Sequence, residues 1–288
     1  MGKNNARFFD STSKKFVDSR MAGIKRNDTT KLTHKMQQGL RRNVITGSHS
    51  PFPFRRHSFL AATYKHSGDI GDLLYSLPLI KETGGGTLYL STHGLGQKGD
   101  GTRSGFDDHI INFIKPLLSQ QSYIKKVEKH THEKVNIDID MFRKINMKSS
   151  NLCSKILLAF SVPLESTNKP WIQCDEKKVA KAIFARSFRY RNDNINYAKF
   201  MTKHDGDCVF VGLPQEHKDF VSKFGDIKYY PVKDLLEMAE VIKGCEMFYG
   251  NQSSPMALAI GLGKSYTQEV FLSGPDCIFN RDNAIYVR

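Results

Sequence analysis

From Ser58 onward, short apolar runs alternate with longer segments whose apolar residues recur every three or four positions. That is the pattern of strands interleaved with amphipathic helices. Phe59–Tyr64, Thr87–Ser91, Tyr123–Val127, Val179–Ala185, Cys208–Gly212, Cys245–Tyr249 and Tyr266–Val270 read as strands, and Asn136–Met141 alternates as an edge strand does. Leu73–Ile80, Phe106–Leu118, Asn151–Phe160, the segment ending at Phe224 and Leu235–Ile242 read as helices. Pro78 should kink the first of these, and Gly84, Gly85 and Gly86 should end it. Strands alternating with helices predict an α/β protein with mostly parallel sheets. Pro163 and Pro170 in the segment Ser161–Trp171 mark a crossover between two α/β halves, expected over residues 58–165 and 166–288.

Two strand-to-helix turns stand out within this pattern. In the first, Gly68, Asp69, Gly71 and Asp72 lead into an apolar helix, the glycines allowing a sharp turn close to a ligand. Asp72 is either a general base for a hydroxyl brought into the cleft or a carboxylate that complements the helix dipole, and Asp69 competes for the first role. In the second, Gly250, Asn251, Gln252, Ser253 and Ser254 precede Pro255, a good first helical residue. Ser253 and Ser254 are either helix caps or ligands of an anion held by the unpaired N–H groups. Ligands of open parallel sheets lie outside the carboxyl ends of the strands, so both turns are expected to face one cleft.

Residues 1–57 break the pattern. They carry thirteen Lys or Arg against three Asp, leaving only +4 of the formal +14 for the rest of the chain. With little apolar periodicity, the segment reads as a basic, disordered tail, Met36–Arg42 being its best helical stretch, with Phe8, Phe9 and Phe16 able to dock on the body. Such a tail is a solvated arm or a non-specific nucleic-acid contact. Five scattered cysteines without a CxxC pair fit reduced, buried thiols of a cytoplasmic protein, and no apolar run is long enough to cross a bilayer.

Other candidates carry chemistry less directly. Arg186 and Arg189, in a cluster with Phe188 and Tyr190, either neutralise phosphates, or are solvated, or bind nucleic acid with the two aromatic rings as stacking groups. Glu216 either holds ribose hydroxyls or starts the helix that ends at Phe224. Asp138-Ile139-Asp140 spells a metal-site string, with both carboxylates on one face if the strand is regular, and His130 and His132 form a second, weaker metal hint.

Taken together, the turns resemble the signatures of a known family. Ile70-Gly71-Asp72 through Pro78-Leu79 is similar to the IGDxxxxxPxL signature of the heptosyltransferase-like glycosyltransferases of family 9. Asp234-Leu235-Leu236 through Gly250-Asn251-Gln252-Ser253-Ser254-Pro255-Met256, with Gly263-Lys264, is similar to their donor-binding signature. The resemblance covers roughly residues 58 to 275. It implies a GT-B fold, two Rossmann-like domains with mostly parallel sheets facing a cleft. It also implies a nucleotide sugar as donor substrate, no metal and no further cofactor, and transfer with inversion to the hydroxyl of a glycan, lipid-linked or modified-nucleic-acid acceptor. Asp72 would be the base, flanked on the acceptor side by Gly68, Asp69 and Gly71, and Gly250 to Ser254 would hold the donor with Arg186, Arg189 and Glu216. Gln252-Ser253-Ser254 stands where the family has Asp-Thr/Ser-Gly, and Ala257 where it has His, as in a divergent branch similar to proteins of phage and marine genomes. The alternative is a catalytically degenerate GT-B protein that binds nucleic acid through its tail.

Overall fold

The computed structural model describes residues 7–10, 15–18, 62–93, 105–144, 151–274 and 276–288. Two short strands come first, Arg7–Asp10 (β1) and Lys15–Asp18 (β2). Ala62–His66 (β3), Gly86–Ser91 (β4), Ile124–His130 (β5) and Ile137–Asp138 (β6) then form a four-stranded parallel sheet in the order β5-β4-β3-β6. The second sheet has a parallel core of Ala182–Ala185 (β7), Cys208–Phe210 (β8), Lys228–Tyr229 (β9), Met247–Gly250 (β10), Tyr266–Glu269 (β11) and Ala284–Val287 (β12). Its order is β12-β11-β10-β7-β8-β9. The helices are Ile70–Glu82 (α1), Asp108–Ser119 (α2), Leu152–Ala159 (α3), Ala198–Met201 (α4), Pro214–Phe224 (α5), Leu235–Gly244 (α6) and Ser254–Leu262 (α7). Two parallel α/β halves are what the block pattern predicts.

The strand β1 pairs in parallel with β12, Arg7 opposite Ile285, and β2 returns antiparallel to it. The expectation of a disordered or loosely helical tail did not include these two strands. The edge of β12 presents a row of unpaired backbone groups, which an added strand satisfies. The remainder of residues 1–57, including the expected helix at Met36–Arg42, lies outside the described residues. No helix among the described residues is long and apolar enough to cross a membrane.

Strands in a sheet covered on both faces bury every side chain, and β7 does so. Ile183 and Ala185 face the main core, which also takes α1, α3, α6 and α7. Ala182 and Phe184 face an aromatic cluster with Tyr197, Phe200, Phe210, Phe220 and Tyr249. Phe184 and Tyr249 stack at 4.7 Å between ring centroids. All five cysteines are buried and free. The turn into β4 needs glycine at 86, whose φ is +153°, because a Cβ there would lie 1.9 Å from the Ala62 carbonyl oxygen.

Three sequence expectations shift in ways that matter for the site. The first helix begins at Ile70, so Gly71 and Asp72 lie in its first turn rather than in the loop before it. That helix continues through Pro78, whose missing N–H releases the Leu74 carbonyl from the intrahelical ladder. The indole N–H of Trp171, the chain's single tryptophan and 1% exposed, donates to that carbonyl at 3.0 Å. Finally, β6 stops at Asp138, and Ile139–Lys144 is a 3-10 turn, so Asp138 and Asp140 do not share a strand face.

Candidate active site

The first turn leaves β3 at His66, whose Nδ1 accepts the Gly68 N–H at 3.1 Å. Gly68 has φ +133°, a conformation that favours glycine. Gly71 is helical, and a Cβ built on it would meet nothing within 4 Å, so packing does not demand glycine there. Asp69 occupies the N-cap position of α1 without capping its N–H groups, and its carboxylate lies 3.7 Å from Arg189 across the cleft. Asp72 is mostly buried and accepts from Arg143 Nη2 at 2.8 Å. The same guanidinium donates to the Gly68 carbonyl and to Asp140. Asp140 is fully buried and also accepts the Ser67 N–H at 3.2 Å. Asp138 pairs with Lys65 at 2.8 Å. The two carboxylates of the metal-site string thus already hold cations of the protein itself. Among the described residues, no group of three or more metal-ligating side chains comes together, His130 and His132 included.

The second turn leaves β10 at Gly250. Asn251 is fully buried and serves as a clamp: its Oδ1 accepts the Ser187 N–H at 3.0 Å, and its Nδ2 donates to the Arg189 carbonyl at 2.6 Å. The loop after β7, with Arg189 at its tip, is thereby fixed to the turn before α7, and through Arg189 and Asp69 the two turns meet. Gln252 donates from Nε2 to the Gly274 carbonyl at 3.0 Å, while its buried Oε1 has no hydrogen-bond partner among the described residues. Gln268 on β11 is fully buried, and neither of its amide atoms has one. Alternation along β11 puts Gln268 on the same face as Tyr266, toward the main core that α7 joins. Ser253 is the N-cap residue of α7, yet its Oγ donates backward to the Asn251 carbonyl at 3.1 Å and caps no N–H group. Ser254 begins the helix and Pro255 is its second residue, not the first as expected, and the α7 N-terminus carries no side-chain cap and no carboxylate.

The arginine cluster divides. Arg189 is 63% exposed at the cleft. Arg186 is buried: its Nε donates to Glu269 Oε2 at 2.8 Å and its Nη2 to Oε1 at 3.0 Å. Tyr197 donates to the same carboxylate at 2.8 Å, and burial followed by the Glu269 charge pushes that phenol well above its ordinary value. Arg186 is thus committed to Glu269 inside the domain rather than to the cleft. Removing either member of such a buried pair leaves an uncompensated charge, at a cost of about 3 to 5 kcal/mol. Glu216 accepts the Leu213 N–H at 3.0 Å at the start of α5 and also meets the Phe188 amide; burial raises its carboxyl above the ordinary range. It ties together two loops whose Phe188 and Leu213 are 52% and 59% exposed at the carboxyl ends of β7 and β8.

Sequence reasoning missed Arg143, Glu269 and Gln268, and read Asp140 as half of a metal-site string rather than as the partner of Arg143. The spacing Asp140-x-x-Arg143 was a usable signal, since residues three apart on a helical turn are neighbours. Nothing local pointed to Glu269 as the partner of Arg186, because the pair is 83 residues apart.

No known family profile matches the chain, and no curated protein matches it in sequence. Solved structures do match. E. coli heptosyltransferase WaaC with ADP-2-deoxy-2-fluoro heptose superposes with a TM-score of 0.51 at 12% identity, over 80% of this chain and 93% of that one. A glycosyl transferase of family 9 from Veillonella parvula DSM 2008 gives 0.52 at 12% identity, over 80% and 86%. WaaC with ADP gives 0.50 at 12% identity, over 79% and 90%. The chain has the fold of the heptosyltransferase-like glycosyltransferases, as the two signatures imply.

Proposed function

We propose that this protein is a glycosyltransferase that moves a sugar from a nucleoside diphosphate sugar to an acceptor hydroxyl, with inversion and without a metal. One observation carries the reading. Ser253 turns its hydroxyl away from α7, so the N-terminus of that helix, just beyond the carboxyl end of β10, has no side-chain cap. Unpaired N–H groups at a helix N-terminus attract an anion, and the helix dipole adds to the attraction. The donor diphosphate would bind there, with the Ser253 and Ser254 amides and Arg189 offsetting charge as it develops on the leaving group. Gln252 and Gln268 would take hydroxyls of the sugar, since an amide both donates and accepts. Phe188 and Leu213 would flank the nucleobase. Asp72 would take the acceptor proton as the new C–O bond forms and the anomeric bond to phosphate breaks, and the nucleoside diphosphate leaves. A single displacement of this kind inverts the anomeric centre. Asp138 and Asp140, already paired with Lys65 and Arg143, support a site that works without a metal.

The test is thermal unfolding with ADP, UDP, GDP and CDP. A ligand at a hundred times its Kd adds about 2.7 kcal/mol of stability. A selective gain with one of them, lost in the double variant Ser253→Ala/Ser254→Pro, is the expected result, because proline removes an N–H as well as a hydroxyl. Equal or absent gains across the panel would overturn the donor site.

A further inference from the structure

Resting on that reading of Asp72, we infer that Arg143 is the residue that positions the base. Arg143 lies 71 positions from Asp72 and on a different element, the 3-10 turn after β6. Its guanidinium reaches three acceptors at once: Asp72 Oδ2 at 2.8 Å, the Gly68 carbonyl and Asp140 Oδ1. The far end of this fork is itself anchored, because Asp140 is fully buried and takes the Ser67 N–H. The Phe142 ring, 4.6 Å from the guanidinium carbon, covers one face. A planar group with fixed donor directions and three acceptors has one orientation, and the carboxylate paired with it inherits that orientation. The same fork holds the carbonyl of Gly68, so the left-handed turn and the base are set by one side chain.

The pairing also has an electrostatic consequence. An arginine in contact lowers the proton affinity of a carboxylate by about 1 to 3 pH units, which keeps it ionised and ready to accept a proton in weakly acidic solution. The neighbouring charged and titratable groups among the described residues act differently. Asp69 and Asp140 are like charges that oppose it, and Arg189 is 3.7 Å from Asp69. His66 sits at the end of β3 with its Nδ1 accepting the Gly68 N–H. Cys277, from the loop after β11, is pushed up to about 12 by burial and carries no charge at neutral pH. Arg143 contacts the base and the turn before it, not the donor loop. Its role is to aim that base and keep it ionised.

The experiment is a carbon-13 NMR titration of the Asp72 carboxylate in the full chain, its resonance assigned by loss in Asp72→Asn. In Arg143→Gln the midpoint should rise by about 1 to 3 units. In Arg143→Lys the charge remains but the fork is lost, so the midpoint should stay near the wild-type value while the carboxylate chemical shift moves. An unmoved midpoint in folded Arg143→Gln overturns the inference; if that variant does not fold, an unmoved chemical shift in Arg143→Lys does so. Melting with ADP separates this result from the donor reading. ADP should stabilise Arg143→Gln as much as wild type, and a gain lost in the variant with an unmoved midpoint would make Arg143 a donor contact instead. Absence of any ADP effect on wild type overturns ADP as donor nucleotide, and the midpoint still decides the role of Arg143.

Discussion

The two cleft-facing turns are built alike and finished differently. Each runs from a parallel strand through glycine into a helix whose N-cap position holds a good capping residue, Asp69 or Ser253, that does not cap. Elsewhere such residues behave as expected: Asp107, Asn151 and Asp234 accept the N–H groups of Ile110, Ser154 and Glu237 at 2.7, 2.8 and 2.8 Å. At the first turn the helix end is filled from within, by Asp72 held on Arg143 and by Asp69 facing Arg189. At the second the helix's first turn holds no carboxylate. A helix N-terminus occupied by the protein's own carboxylate can present a base, and one without a carboxylate can receive an anion. On the proposed reading, this difference gives two similar pieces of backbone opposite chemical roles.

Predictions follow in order of expected size. Asp72→Asn keeps the shape of the first turn and removes its proton acceptor. Turnover should fall by about 10²- to 10⁴-fold with stabilisation by the selected nucleoside diphosphate unchanged, and near-normal transfer would remove Asp72 from the mechanism. Making the second turn resemble the first, with Ser254→Asp, should abolish stabilisation by the nucleoside diphosphate, a loss of about 2.7 kcal/mol at a hundred times Kd. In the absence of ligand the same variant should be more stable by about 0.3 to 1 kcal/mol, since the new carboxylate complements the dipole. Retained nucleotide binding in Ser254→Asp would mean that the α7 N-terminus is not the anion site.

The backbone of α1 offers a third test. Trp171→Phe leaves the Leu74 carbonyl, already released by Pro78, without its indole donor, and should cost about 1 to 3 kcal/mol in chemical denaturation. The smallest contrast compares caps. Asp234→Ala should cost about 1 kcal/mol because that side chain caps α6. Ser253→Ala should cost clearly less, because its hydroxyl caps nothing. Equal losses in unfolding midpoint would break the distinction between capped and cleft-facing helices.

The sequence by itself determined the α/β class, the two parallel halves and both turns, because apolar periodicity and glycine placement are local properties that any compact solution must respect. It also singled out Asp72, Ser253 and Ser254, since a strand, a glycine turn and an apolar helix in order suffice to put those residues at helix starts. Tertiary structure alone decided which candidates face the cleft. Arg186 and Arg189 are three residues apart and equally basic in sequence, yet one is buried on Glu269, 83 residues away, and the other is exposed beside Asp69. Asp138 and Asp140 looked like a matched pair until β6 ended between them and gave each its own cation. Arg143 had no visible connection to Asp72 before the chain folded. Long-range charge pairing depends on which elements the packing of apolar faces brings together, and apolar periodicity does not record the charged partners that meet as a result.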